Sequence, residues 1–198
     1  MKLLIFSDIH GDEAALERLM KQDADYYFAA GDLANWGRGL ERLGPLMKSR
    51  ADRLYMIPGN HESEDDVARF CEQFGFHNVH GKTLRLGQTE IAALGYSNPT
   101  PFNTPGEYSE QELARRLSLF DDARPGVVIC HCPPKSTRLD RAAEGQHFGS
   151  QSVRDFIERT QPEYFYCGHI HEAAGASDRI GRTQGFNVGK QGRLFDLM

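Results

Sequence analysis

The sequence predicts an α/β fold, a partly parallel sheet with helices on its faces. Three observations predict it. Short continuous apolar runs alternate with segments of helical periodicity, and each run is stopped by a polar turn. Those turns carry Asp, Asn or His at the end of one run after another.

Residues 3–6 form an apolar run without alternation, as expected of a strand buried on both faces. Residues 12–20 place Ala14, Ala15, Leu16, Leu19 and Met20 at helical spacing, with Asp12 as N-cap. Tyr26–Ala30 reads as a strand stopped by Gly31-Asp32, Leu40–Met47 as a helix, and Leu54–Ile57 as a strand stopped by Pro58-Gly59. Residues 67–74 are helical. Residues 83–86 and 91–94 flank Gly87-Gln88, a β-hairpin pattern.

Residues 96–108 hold Pro99, Pro101 and Pro105 and read as a loop. Ser109 and Glu112 then form a capping-box pattern ahead of Leu113 and Leu117. Val127–Cys130 is a strand, residues 153–157 a helix capped by Ser150 or Ser152, and Tyr164–Cys167 a strand. From 176 to 197 short strands are broken by glycines, and residues 194–198 read as a closing strand. No repeat or linker divides the chain, so residues 1–198 read as one domain.

Composition excludes some functions. A net charge of −5, with no cationic cluster longer than Arg115-Arg116, argues against nucleic acid as a partner. No stretch is long and apolar enough for a membrane span, and residues 3–6 are too few for a signal-peptide core. The expected compartment is the cytoplasm, where Cys71, Cys130, Cys132 and Cys167 stay reduced. Cys130-His131-Cys132 lacks the spacing of a zinc knuckle and has no second cysteine pair, so buried thiols explain it better.

The chemistry lies at the strand ends. They deliver Ser7-Asp8-Ile9-His10, Gly31-Asp32, Gly59-Asn60-His61-Glu62, His131 and Gly168-His169-Ile170-His171. In open α/β sheets the carboxyl ends of strands form the ligand crevice. Carboxylate, amide oxygen and neutral imidazole suit divalent metals such as Mn, Fe, Zn or Ni. Two adjacent metals need a bridging carboxylate, which a lone Asp after a strand can provide. Each fragment alone is weak, since a His at a strand end is usually a satisfied polar residue. The ordered set carries the reading.

This series, from residue 8 to 171, resembles the calcineurin-like metallophosphoesterase superfamily. His147-Phe148-Gly149-Ser150 looks like that region of its compact prokaryotic phosphodiesterases. The resemblance implies two packed mixed β-sheets flanked by helices, with a dimetal site at the C-terminal ends of strands. It assigns Asp8, His10 and His171 to one metal, and Asn60, His131 and His169 to the other. Asp32 bridges them, and His61 contacts the phosphate and protonates the leaving group. With His61, Asp32 and Asn60 make up the implied catalytic set. Two divalent ions, manganese first, are the expected cofactor, and a metal-bridging hydroxide the expected nucleophile. The superfamily's phosphoprotein phosphatases carry Asp-Arg where this chain has Asn35-Trp36, which argues against that substrate class. Cys130 replaces the usual Gly before the His, a small change.

Substrate choice falls to the loops at 96–108 and 135–150. Arg38, Lys135, Arg138, Arg141 and His147 are candidate substrate contacts, and a solvated loop explains each equally well. Phe102, Trp36 and Tyr96 are candidate stacking groups. The expected reaction is hydrolysis of a small phosphodiester. The alternatives are a nucleotide phosphomonoesterase or pyrophosphohydrolase, and a protein-binding scaffold on the same fold.

Overall fold

The apolar residues of β1 (Lys2–Phe6) are all fully buried, because both faces of the strand are covered. The computed structural model describes residues 1–197. The chain continues as α1 (Glu13–Met20), β2 (Tyr26–Ala30), α2 (Leu40–Met47), β3 (Leu54–Ile57), α3 (Glu64–Phe74) and β4 (His77–Asn78). Then follow β5 (Lys82–Leu86), β6 (Thr89–Leu94), α4 (Glu110–Ser118), β7 (Val127–Cys130), α5 (Gln151–Thr160) and β8 (Tyr164–Cys167). The last elements are β9 (Ser177–Ile180), β10 (Thr183–Asn187) and β11 (Arg193–Asp196).

The strands form two sheets, in the orders β11-β1-β2-β3-β4 and β5-β6-β7-β8-β10-β9. Neighbours are parallel except at the edges, where β11, β5 and β9 run antiparallel. Alternation along each strand sorts side chains into two faces. Leu3, Ile5, Phe28 and Ile57 of the first sheet pack against Ile91, Ile129, Tyr166 and Phe186 of the second. Leu4, Phe6, Tyr27 and Met56 point the other way, into a core shared with α1, α2 and α3. Leu94, Val128, Phe165 and Cys167 do the same against α4 and α5. The result is four layers, helices–sheet–sheet–helices, as the resemblance implied.

Most predicted elements recur at their predicted positions, and the departures have local causes. α3 starts at Glu64 rather than 67, because Ser63 and Asp66 form a reciprocal capping box. Its acidic first turn also suits the helix N-terminus. At α4 only half the predicted box forms: Ser109 accepts from Glu112 N, while the Glu112 carboxylate turns to Arg115 and Arg116. Ser150, not Ser152, caps α5, and Ser152 is held by Glu110 instead. The two-residue β4 is too short to leave a periodic signal. The closing strand is β11, on the edge of the first sheet; Met198, part of that expectation, lies outside the described residues. No described helix is long and apolar enough to cross a membrane.

Candidate metal centre

The strands preceding the candidate ligands belong to two sheets rather than one. Asp8 and His10 follow β1, Asp32 follows β2, and Asn60 and His61 follow β3. His131 directly follows β7, and His169 and His171 follow β8. The carboxyl ends of both sets meet at one rim. The turns that bring them there are strained: Asp8, His10, Asp32 and His169 all have positive φ, between 49° and 70°. Such backbone costs about 1–3 kcal/mol per non-glycine residue and collects at functional sites. Gly31, at φ +96°, has no room for a Cβ, which would meet Gly59 Cα at 2.6 Å and His131 Nδ1 at 2.7 Å.

Two groups of donors surround Asp32. On one side stand Asp8, His10 and His171, with His10 Nε2 2.9 Å from His171 Nε2 and 3.7 Å from Asp32 Oδ2. His171 Nε2 is 3.6 Å from Asp8 Oδ1. On the other side His131 Nε2 is 3.3 Å from Asp32 Oδ2 and 3.1 Å from Asn60 Oδ1. His169 Nδ1 is 2.8 Å from that same amide oxygen. All seven predicted ligands are therefore brought together, with Asp32 Oδ2 between the two sets.

The neighbours of these residues fix which edge of each side chain faces inward. His131 Nδ1 donates to Ala30 O (2.8 Å) and His10 Nδ1 to Asn35 Oδ1 (2.8 Å), which turns each Nε2 toward the centre, where the neutral ring can ligate. Asn60 Nδ2 donates to Thr104 Oγ1, so Oδ1 faces the centre. So many inward carboxylate, amide and imidazole atoms call for positive charge among them, from protons or from a metal ion. In the metal-free protein the carboxylates draw positive charge to where a cation would sit. Burial opposes charge on His131, yet Asp32 and Asp8 override it and raise the ring to about 9. Burial would likewise raise Asp32, but His131 and His10 hold it well below the usual carboxylate range. Burial, aided by His131, lowers His169 to about 4, keeping it neutral and able to ligate. The donor set fits two divalent cations.

His61 comes within the same reach of His10 and Asp32. Its backbone N–H donates to Asp32 Oδ1 (2.9 Å), and its Nδ1 accepts from Trp36 N at 3.4 Å.

Other residues with roles here had no distinguishing signal in the sequence. Glu62 is buried and accepts from Asp32 N and Gly59 N through Oε2 and from Ala34 N through Oε1, which clasps two ligand loops together. Burial, reinforced by Asp32, pushes its carboxyl up to about 8. Ser7 Oγ donates to Asp8 Oδ2 (2.6 Å), and Asn187 Nδ2 holds the carbonyls of Gly168 and Ile170. Glu62 and Ser7 lay within quoted fragments, but two of the three donors to Glu62 come from a turn remote in sequence.

Two cavities of about 530 Å³ each open from the centre, and His61 and His171 line both. One extends past Phe102, Lys135, His147 and Phe148; the other past Asn35, Lys190 and Gln191. Of the candidate substrate contacts, Lys135 and His147 are in the first cavity. Arg38 and Arg141 are exposed and line neither. Arg138 lines a separate groove with Asp178 and Phe186, and its backbone N–H is tied to Asp178. Tyr96 is buried, and its hydroxyl accepts from Glu64 N. Trp36 is half exposed, edge-on to His61. Cys130 and Cys132 are buried in the outer core beneath α4 and α5, among none of the described metal-capable groups. A larger cavity of about 750 Å³, bordered by Arg124, Arg159 and Arg182, contains no candidate ligand.

A family model described as calcineurin-like phosphoesterase matches residues 1–173. The protein MJ1162 of Methanocaldococcus jannaschii is 31% identical over 189 residues, covering 92% of this chain and 85% of that protein. The probable glycerophosphodiester phosphodiesterase GpdQ of Arcobacter nitrofigilis is 24% identical over 164 residues, covering 78% of this chain and 59% of that protein. The crystal structure of TT1561 of Thermus thermophilus superposes with a TM-score of 0.73 at 17% identity, over 96% of this chain and 90% of that one.

Proposed function

The chain belongs to the calcineurin-like phosphoesterase family, and from that premise we propose that it is a metal-dependent phosphodiesterase acting on small substrates. When bound, two divalent cations lower the pKa of water toward neutrality and offset phosphate charge. Asp8, His10 and His171 would hold one cation and Asn60, His131 and His169 the other, with Asp32 shared. Manganese is the first candidate because the donors mix imidazole with oxygen. With the Trp36 amide on Nδ1, neutral His61 carries its proton on Nε2 and acts as donor to the leaving oxygen. Both sheets supply ligands, which supports reading residues 1–198 as one catalytic domain. The four buried free thiols suit the reducing cytoplasm.

The observation that favours a diester is the pair of equal cavities meeting at His61 and His171. A phosphorus held between them has room for one ester arm on each side, whereas a monoester would fill only one. The similarity to a probable glycerophosphodiester phosphodiesterase points the same way. The test compares rates on bis(p-nitrophenyl) phosphate and p-nitrophenyl phosphate with Mn²⁺. Faster turnover of the diester is expected; a strong monoester preference would overturn this reading in favour of a phosphomonoesterase.

A further inference from the structure

The segment between β7 and α5 is organised around one buried carboxylate. Asp140 is fully buried and accepts from Ser136 N (3.1 Å), Thr137 N (2.8 Å) and Gly149 N (2.9 Å). It also accepts from His147 Nδ1 at 2.8 Å. The three backbone N–H groups already anchor the carboxylate, so loop closure does not require the imidazole. The contact instead fixes the ring. With Nδ1–H given to Asp140, the Nε2 edge is left unbonded in a side chain that borders the cavity of Asn60, His61 and His169. A histidine oriented by a buried aspartate is preorganised to contact a ligand.

Lys135 borders the same cavity and, among the described residues, its ammonium has no ion-pair partner. Its own backbone is held by Ser150 O and by Arg154. Of the carboxylates outside the metal set that border this cavity, Glu110 is engaged by Ser150 Oγ and Ser152 N, and Glu172 is exposed. The remaining wall is mostly apolar, with Asn98 and Thr100 as its polar members. Phe102 and Phe148 are 70% and 50% exposed there, and Asn98 Nδ2 ties their two loops through Phe148 O.

We propose that Lys135 and His147 form a subsite for a second anionic group of the substrate, beyond an apolar ring or chain that covers Phe102 and Phe148. The proposal rests on the phosphodiesterase reading above and narrows its substrate class: a diester with one arm that ends in a phosphate or carboxylate.

The test uses the Mn²⁺-loaded protein and three substrates that release p-nitrophenol. They are p-nitrophenyl phenyl phosphate and its analogues with a carboxylate or a phosphate para on the phenyl ring. The parent should prefer an anionic arm by about tenfold or more in kcat/KM, as one or two charge-assisted hydrogen bonds provide. The better of the two anions identifies which source the subsite takes. Lys135→Ala and His147→Gln should each reduce that preference through KM, with metal content unchanged. Equal rates on all three substrates, or full preference retained in both variants, would overturn the subsite. Calorimetric binding of phenyl phosphate against 4-carboxyphenyl phosphate judges it without turnover. Tighter binding of the second, lost in the variants, supports it, and equal binding refutes it. If no diester is cleaved, the phosphodiesterase reading fails while the binding result still decides the subsite.

Discussion

At the scale of single residues, His61 is set apart from its neighbours by what occupies its Nδ1. His10 and His131 commit Nδ1–H to oxygen acceptors and turn Nε2 inward, whereas His61 accepts the Trp36 N–H. His61→Ala should therefore keep its metals and lower kcat on an unactivated diester by about 10²–10⁴-fold. Metal analysis beside a rate measurement checks both halves; a fully active variant removes the donor role. Glu62 is a different case. Glu62→Gln keeps shape and volume, but the amide can offer only one oxygen to three N–H donors. The loss should be about 1–3 kcal/mol, read as a lower urea midpoint. The metal ligands could be picked out in the sequence because each stands just past an apolar strand. Glu62 could not, since its three donors include two from another turn. Lys135 and Arg138 read alike in the sequence, and only the path of the loop separates them.

At the scale of elements, the ligand loops owe their closeness to glycines. A Cβ on Gly59 would land on Asp32 Oδ1 and Asp32 N. Gly59→Ala should push Asp32 out of register and abolish tight metal binding while far-ultraviolet circular dichroism stays that of the parent. Unchanged Mn²⁺ affinity would show that the turn can yield. The helix ends are more forgiving. Ser150→Ala removes the cap on Val153 N and the hydroxyl given to Glu110. A loss of about 1 kcal/mol is expected, or about 2–4 °C in Tm for a chain of this size. Element positions were legible wherever apolar runs met glycine or a capping residue. Start points were misjudged where the first turn is polar, as in α3, and sheet membership was hidden because a buried parallel strand reads the same in either sheet.

At the scale of the whole molecule, the centre spans the seam between the sheets. Asp8, His10, Asp32 and Asn60 come from the first sheet, and His131, His169 and His171 from the second. The inter-sheet core is built from Leu3, Ile5, Phe28, Ile129 and Tyr166, none of which needs a metal to be buried. The metal-free protein should consequently fold, with its two sheets packed and the ligand side chains gathered at their common rim. Bound ions stabilise the native state alone by RT ln(1 + [L]/Kd), about 4 kcal/mol at a thousandfold excess over Kd. For this chain length that is about 8–16 °C of Tm. Chelation should lower the melting temperature by that order without removing the cooperative transition, and Mn²⁺ should restore it. Asp32→Ala should melt at one temperature with or without Mn²⁺, because it removes the carboxylate both sets share, whereas His61→Ala should keep the parent's Mn²⁺-dependent shift. If the parent itself melts identically in chelator and in Mn²⁺, the rim does not hold metal across the two sheets, and the assignment of the seven ligands falls with it.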